Sequence, residues 1–69
     1  MNREIPKHFQ DTVSGMPEYS YGVNRVVVTL DDGKKFYDVF IAWAKEIVKV
    51  GASEQVPFDP GRIVQIETQ

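Results

Sequence analysis

The chain contains no cysteine. Disulfides and thiolate-held metals, the two commonest staples of small domains, are therefore excluded. A single histidine, His8, leaves only carboxylates to complete a metal site, a poor donor set for zinc. No basic excess exists either: the formal net charge is −2 and the pI about 5.2. Such a chain has no overall field to draw it to nucleic acid or to an anionic membrane. No run approaches the roughly 18 apolar residues that a membrane-spanning helix requires. The opening stretch "MNREIPKHFQ" lacks the apolar segment of an export signal, so the cytoplasm is the expected location.

Catalytic machinery is missing as well. Nucleophilic catalysis needs a nucleophile beside a base, and acid–base work needs paired carboxylates in a cleft. Ser14, Ser20 and Ser53 stand in no nucleophile elbow and no S-x-x-K setting. There is no glycine-rich phosphate loop and no calcium loop. Asp31 and Asp32 are adjacent, but a turn accounts for them, because Asp hydrogen-bonds its own backbone there. His8 would fall off the apolar stripe of its helix and is read as a solvated side chain. The expectation is a protein that is no enzyme, with no cofactor and no metal.

What is present is a pattern of short elements. At 69 residues the chain has material for one domain. Ile5, Phe9 and Val13 recur every four residues, which predicts a short helix over residues 6–14. Pro6 fits its first turn, and Gly15 fits a left-handed cap before Pro17. Gly, Pro and Ser make residues 15–22 a connecting loop. "VNRVVVTL", residues 23–30, is β-branched, with Val26, Val28 and Leu30 on one face and Arg25, Val27 and Thr29 on the other. It ends in "DDG", the strongest short-range hairpin signal, because Gly33 accepts positive φ without a Cβ clash.

The stretch "FYDVFIAWAKEIVKV", residues 36–50, fits two periods. As a helix it places Phe36, Val39, Phe40, Trp43, Ile47 and Val50 on one stripe. As strands it alternates Phe36, Asp38, Phe40 and Ala42 with Tyr37, Val39, Ile41 and Trp43. The hairpin demands a partner strand at once, and aromatic and β-branched residues lose rotamer freedom in a helix, so strands are expected. They are placed at 35–43 and 46–50. "FDPG" is read as a type I or 3₁₀ turn with Asp59 at its first corner. "RIVQIE", residues 62–67, is a fourth strand. The expected fold is mainly β with one short helix (α+β): a four-stranded antiparallel meander able to curl into a small SH3-like barrel. The blocks "VVVTLDDGKKFYDVFI" and "VPFDPGRIVQIE" resemble those of short β-meander bacterial proteins. That resemblance implies strands and brings no activity.

One function class then stands out. A strand apolar on both faces needs cover on both. The helix can cover one; the other, bearing Tyr37, Val39, Ile41 and Trp43, is the candidate interface. The expected role is a small protein-interaction or accessory domain, self-associating as a homodimer, because a core this small gains little net stability alone. Strand 23–30, guarded by little beyond Arg25, offers edge-to-edge pairing as a second route. The alternative is a single-stranded nucleic-acid-binding barrel, contacting its ligand through Arg25, Lys34, Lys35 and Tyr37 beside the other aromatics. Against it stand Asp31, Asp32, Asp38 and Glu46 in the same block. For Trp43 the competing reading is plain core burial.

Overall fold

A computed structural model describes residues 3–69 of the chain. One helix, α1 (Lys7–Ser14), precedes four strands, β1 (Val23–Leu30), β2 (Lys35–Ala42), β3 (Glu46–Val50) and β4 (Ile63–Thr68). All pairings are antiparallel, and the strand order is β3-β2-β1-β4. The fold is thus mainly β with one short helix, as the residue pattern predicts, and residues 36–50 are two strands.

Each boundary has a local cause. Pro6 sits at the N-cap of α1 in an extended conformation, one position before the turn expected for it. Gly15 closes the helix in a right-handed conformation, not a left-handed one, and its N–H bonds back to Thr12. At the β1–β2 hairpin Gly33 takes φ +91, and the Asp32 carboxylate accepts the Lys34 N–H at 3.0 Å. Arg62 then bridges Asp31 and Asp32, tying that hairpin to the start of β4. Before β4 the 3₁₀ turn Pro60–Arg62 is capped by Asp59, whose carboxylate accepts the Gly61 N–H at 2.9 Å.

β1, β2 and β3 form the expected meander, but β4 joins on the far side, beside β1. β1 is therefore an interior strand, and the edge-to-edge pairing expected of residues 23–30 is not open to it. Among the described residues no pairing joins β3 to β4, so the sheet stays open at that seam. The edge of β3 is covered instead by residues 3–5. The Ile47 N–H donates to the Arg3 carbonyl and the Ile5 N–H to the Lys45 carbonyl, each at 2.9 Å. Arg3 adds side-chain bonds to the carbonyls of Ile47 and Glu54.

The core lies between one face of the sheet and a layer made by α1 and the 51–62 loop. Ile5 and Val13 enter it from the N-terminal side, and Val56 and Phe58 from the loop. From the sheet come Val26, Val28 and Leu30, Val39 and Ile41, Ile47, Ile63 and Ile66.

The β2 contribution requires an irregularity. Val28 pairs with Phe36, but Val26 pairs with Val39, so β2 carries one residue more than β1 across that interval. Asp38 takes φ +55 within this bulge. The extra residue reverses the alternation along β2. Phe36 packs against the core and stacks on Phe58 at 4.7 Å, and beyond the bulge Val39 and Ile41, not Phe40, point inward. The simple alternation expected from sequence holds only on either side of Asp38.

Candidate interaction surface

Two tight turns meet at one end of the sheet. The first spans residues 20–23, where the Val23 N–H donates to the Ser20 carbonyl at 2.9 Å and Gly22 takes φ +73. Positive φ at the third residue is the demand of a type II turn, which glycine meets without strain. The second spans residues 42–45, closed by the Lys45 N–H on the Ala42 carbonyl at 3.0 Å. Its two central residues, Trp43 and Ala44, take φ +55 and +58. That is the type I′ geometry matching the twist of a hairpin, usually built from Asn and Gly. Neither Trp nor Ala is suited to it, and left-handed backbone costs a residue with a Cβ about 1–2 kcal/mol.

The turns are joined by a hydrogen bond from the Trp43 N–H to the Gly22 carbonyl, at 2.7 Å. The indole lies over Gly22 so closely that a Cβ there would stand 2.8 Å from the ring. The indole and the Tyr21 ring meet in a T-shaped pair, 5.7 Å between centroids with the planes at 90°. Both rings nevertheless face solvent: Trp43 is 70% exposed and Tyr21 88%. Trp43 is therefore not a core residue.

A second aromatic pair continues onto the outer face of the sheet. Tyr19 and Phe40 meet at 5.5 Å, with the Arg25 guanidinium 5.6 Å from the Tyr19 ring and the Lys49 ammonium 5.3 Å from the Phe40 ring. Arg25 also donates through Nε to the Asp38 carboxylate at 2.8 Å, and Gln69 donates to the same oxygen at 2.8 Å. These hydrogen bonds, Arg25 first and Gln69 second, hold the Asp38 carboxyl below its ordinary pKa. A depressed carboxyl adds stability that is complete above the unfolded value, about 3.9, and is lost as pH falls through the lower folded value. The acid arm of a melting-temperature titration below about pH 4 should be shallower in Asp38→Asn than in the parent, since Asn also tolerates positive φ. An unchanged acid arm would show that Asp38 does not couple to folding.

The four residues of the expected interface do not share a face. Tyr37 and Trp43 are exposed, whereas Val39 and Ile41 are completely buried in the protein's own core. The bulge at Asp38 sets Tyr37 apart from Val39 and Ile41, and the 42–45 turn carries Trp43 out of the strand. The residues of the nucleic-acid alternative are scattered too. Lys34 and Lys35 lie at the hairpin end of the sheet, about 25 Å along an eight-residue strand from Trp43. Arg25 is engaged by Asp38, and Tyr37 is exposed beside the bulge. Tyr19 and Tyr21, both prominent here, escape a reading of the sequence because "PEYSYG" looks only like a loop. The signal for Tyr21 is the Tyr-Gly pair, which places a ring at the corner of a glycine-dependent turn.

Among the described residues no group of three His, Cys, Asp or Glu side chains could hold a metal, and no helix is long and apolar enough to cross a membrane. His8 is exposed and stacks on Phe9 at 4.2 Å. Comparison with protein-family models, with curated proteins and with solved structures finds no match to this chain.

Proposed function

We propose that the chain is a non-enzymatic protein-interaction module that docks through its aromatic end, with Tyr21 and Trp43 as anchors. One observation carries this reading: two large rings are pinned in solvent by paired turns, one of them on strained backbone. Strain of that kind is retained where function requires the geometry. Rigid Trp and Tyr side chains give an interface much contact area for little lost rotamer entropy, which is why they dominate hot spots. A single-stranded nucleic acid is the less favoured ligand, because the lysines at the far hairpin and the aromatic end do not form one track. Selection of a random peptide-display library on the immobilised domain tests the reading. Peptides should be enriched that lose binding to the Tyr21→Ser/Trp43→Ser double variant. No enrichment, or equal binding to that variant, would sink it.

Self-association has a separate route, the edge of β4 that no described strand pairs. Gln65, Glu67 and Gln69 turn their backbone groups toward β1, as the Gln69 N–H on the Arg25 carbonyl indicates, so Ile66 and Thr68 turn theirs outward. A second copy fits this edge about a twofold axis at Ile66. Gln65 then faces Glu67, and no like charges oppose. Thr68→Pro removes an outward N–H without touching the β1 ladder. Sedimentation equilibrium should give a dimer for the parent and a monomer of unchanged circular dichroism for Thr68→Pro. A parent that is monomeric at micromolar concentration contradicts self-association.

A further inference from the structure

A shallow cavity of about 190 Å³ opens beside Trp43, lined by Ser14, Met16, Glu18, Asn24, Trp43 and Ala44. Its polar character is one-sided. Asn24 is 4% exposed, and its amide nitrogen is fully used, donating to the carbonyls of Met16 and Pro17 at 3.3 and 3.1 Å. The amide oxygen, fixed in orientation by those two bonds, has no donor among the described residues. Ser14 spends its hydroxyl proton on the Asp11 carbonyl at 2.8 Å, leaving lone pairs. Glu18 is a carboxylate with no ion-pair partner among the described residues. Apart from the indole N–H, every polar side chain of the lining has only acceptor capacity to offer. The remaining wall is the indole with the Met16 side chain.

We propose that this cavity receives the cationic side chain, lysine or arginine, of the segment that docks on the aromatic end. The complementarity is of charge and of shape. An ammonium or guanidinium brings donors alone, which match Glu18, Asn24 and Ser14. The alkyl stem lies along Met16, and the charge sits against the indole, the strongest of the aromatic partners for a cation. Asn24 gives the site its selectivity: its amide oxygen, reached by solvent and without a donor among the described residues, is satisfied by a cation and stripped of its water by an apolar side chain. The inference rests on the aromatic end being a docking surface, and it adds the chemistry of the residue that surface reads.

Capped tripeptides with lysine, arginine, norleucine or glutamate between two glycines isolate that chemistry. Norleucine keeps the four-carbon stem of lysine and drops the ammonium. Binding is followed by the fluorescence of Trp43, the sole tryptophan, and by the side-chain amide resonances of Asn24. The lysine and arginine peptides should give saturable changes in the millimolar range. The norleucine and glutamate peptides should give none at the same concentrations. Glu18→Gln, an exposed substitution that leaves the core untouched, should weaken the cationic peptides about threefold to tenfold. Equal binding of norleucine and lysine, or no binding of either cationic peptide, overturns the proposal. The display selection separates the two levels: enriched peptides without basic residues refute the cation site and leave the docking surface standing, whereas no enrichment removes both.

Discussion

Asp38→Val is expected to destabilise the domain severely, although residue 38 is half exposed and belongs to no core: a β-branched side chain opposes the φ of +55 that the bulge requires. The bulge supplies the one extra residue that lets Phe36, Val39 and Ile41 all reach the same side of the sheet. With the residue count kept and the bulge closed, strict alternation must turn either Phe36 or the pair Val39 and Ile41 to solvent. Exposing that pair forfeits roughly 1.5–3 kcal/mol for each side chain. A 69-residue domain has roughly 3–10 kcal/mol of total stability to lose. Asp38→Gly is the necessary contrast: it keeps the residue count, accepts positive φ and removes only the half-exposed bonds to Arg25 and Gln69. That variant should stay folded with only a small loss of stability, because solvent-screened pairs contribute little. Circular dichroism and thermal melts read both. An Asp38→Val variant melting within a few degrees of the parent would contradict the bulge as the device that builds this core.

Replacing Trp43 and Ala44 together by Asn and Gly is expected to stabilise the protein and to abolish its docking. Asn-Gly is the pair best suited to a type I′ turn, and both replaced residues stand at positive φ. Relieving the two of them should return about 1–2 kcal/mol each, set against the loss of the Tyr21 edge contact at about 0.5–1.5 kcal/mol. A net gain of about 1 kcal/mol raises the melting temperature of a domain this size by roughly 4–8 °C. The opposite result, a fall of several degrees, would mean the indole contributes to folding and is not held for a partner. Stability gained together with binding lost is the usual signature of a site kept under strain for function.

Much of the fold is legible in the sequence because its signals are local. The β-branched run of residues 23–30 and "DDG" place β1 and the hairpin, and "EIVKV" is found at its observed limits. β2 ends at Ala42, one residue earlier than expected, and β4 covers residues 63–68, shifted by one from 62–67. What escapes is non-local. A bulge leaves the alternation intact on either side of it, so only the pairing with β1 exposes it. The sole trace in sequence is Asp38 itself, a residue tolerant of left-handed backbone inside an apolar strand. The position of β4 is decided by packing of Ile63 and Ile66 into the shared core, which no residue near β4 announces. Trp43 reads as strand because a hairpin turn without Asn or Gly gives no turn signal. The candidate interface divides for the same non-local causes: Tyr37 and Trp43 are exposed, and the bulge carries Val39 and Ile41 inside.

The placement of Trp43 in solvent, on the joined turns, is tested most directly by acrylamide quenching of its fluorescence in dilute native protein. No other tryptophan contributes to the signal. A side chain that is 70% exposed should emit at the red end of the tryptophan range, with a quenching constant more than half that of the same chain unfolded in urea. A blue-shifted native emission, with quenching several-fold below that of the unfolded chain, would put the indole in the core and leave the aromatic end without its anchor.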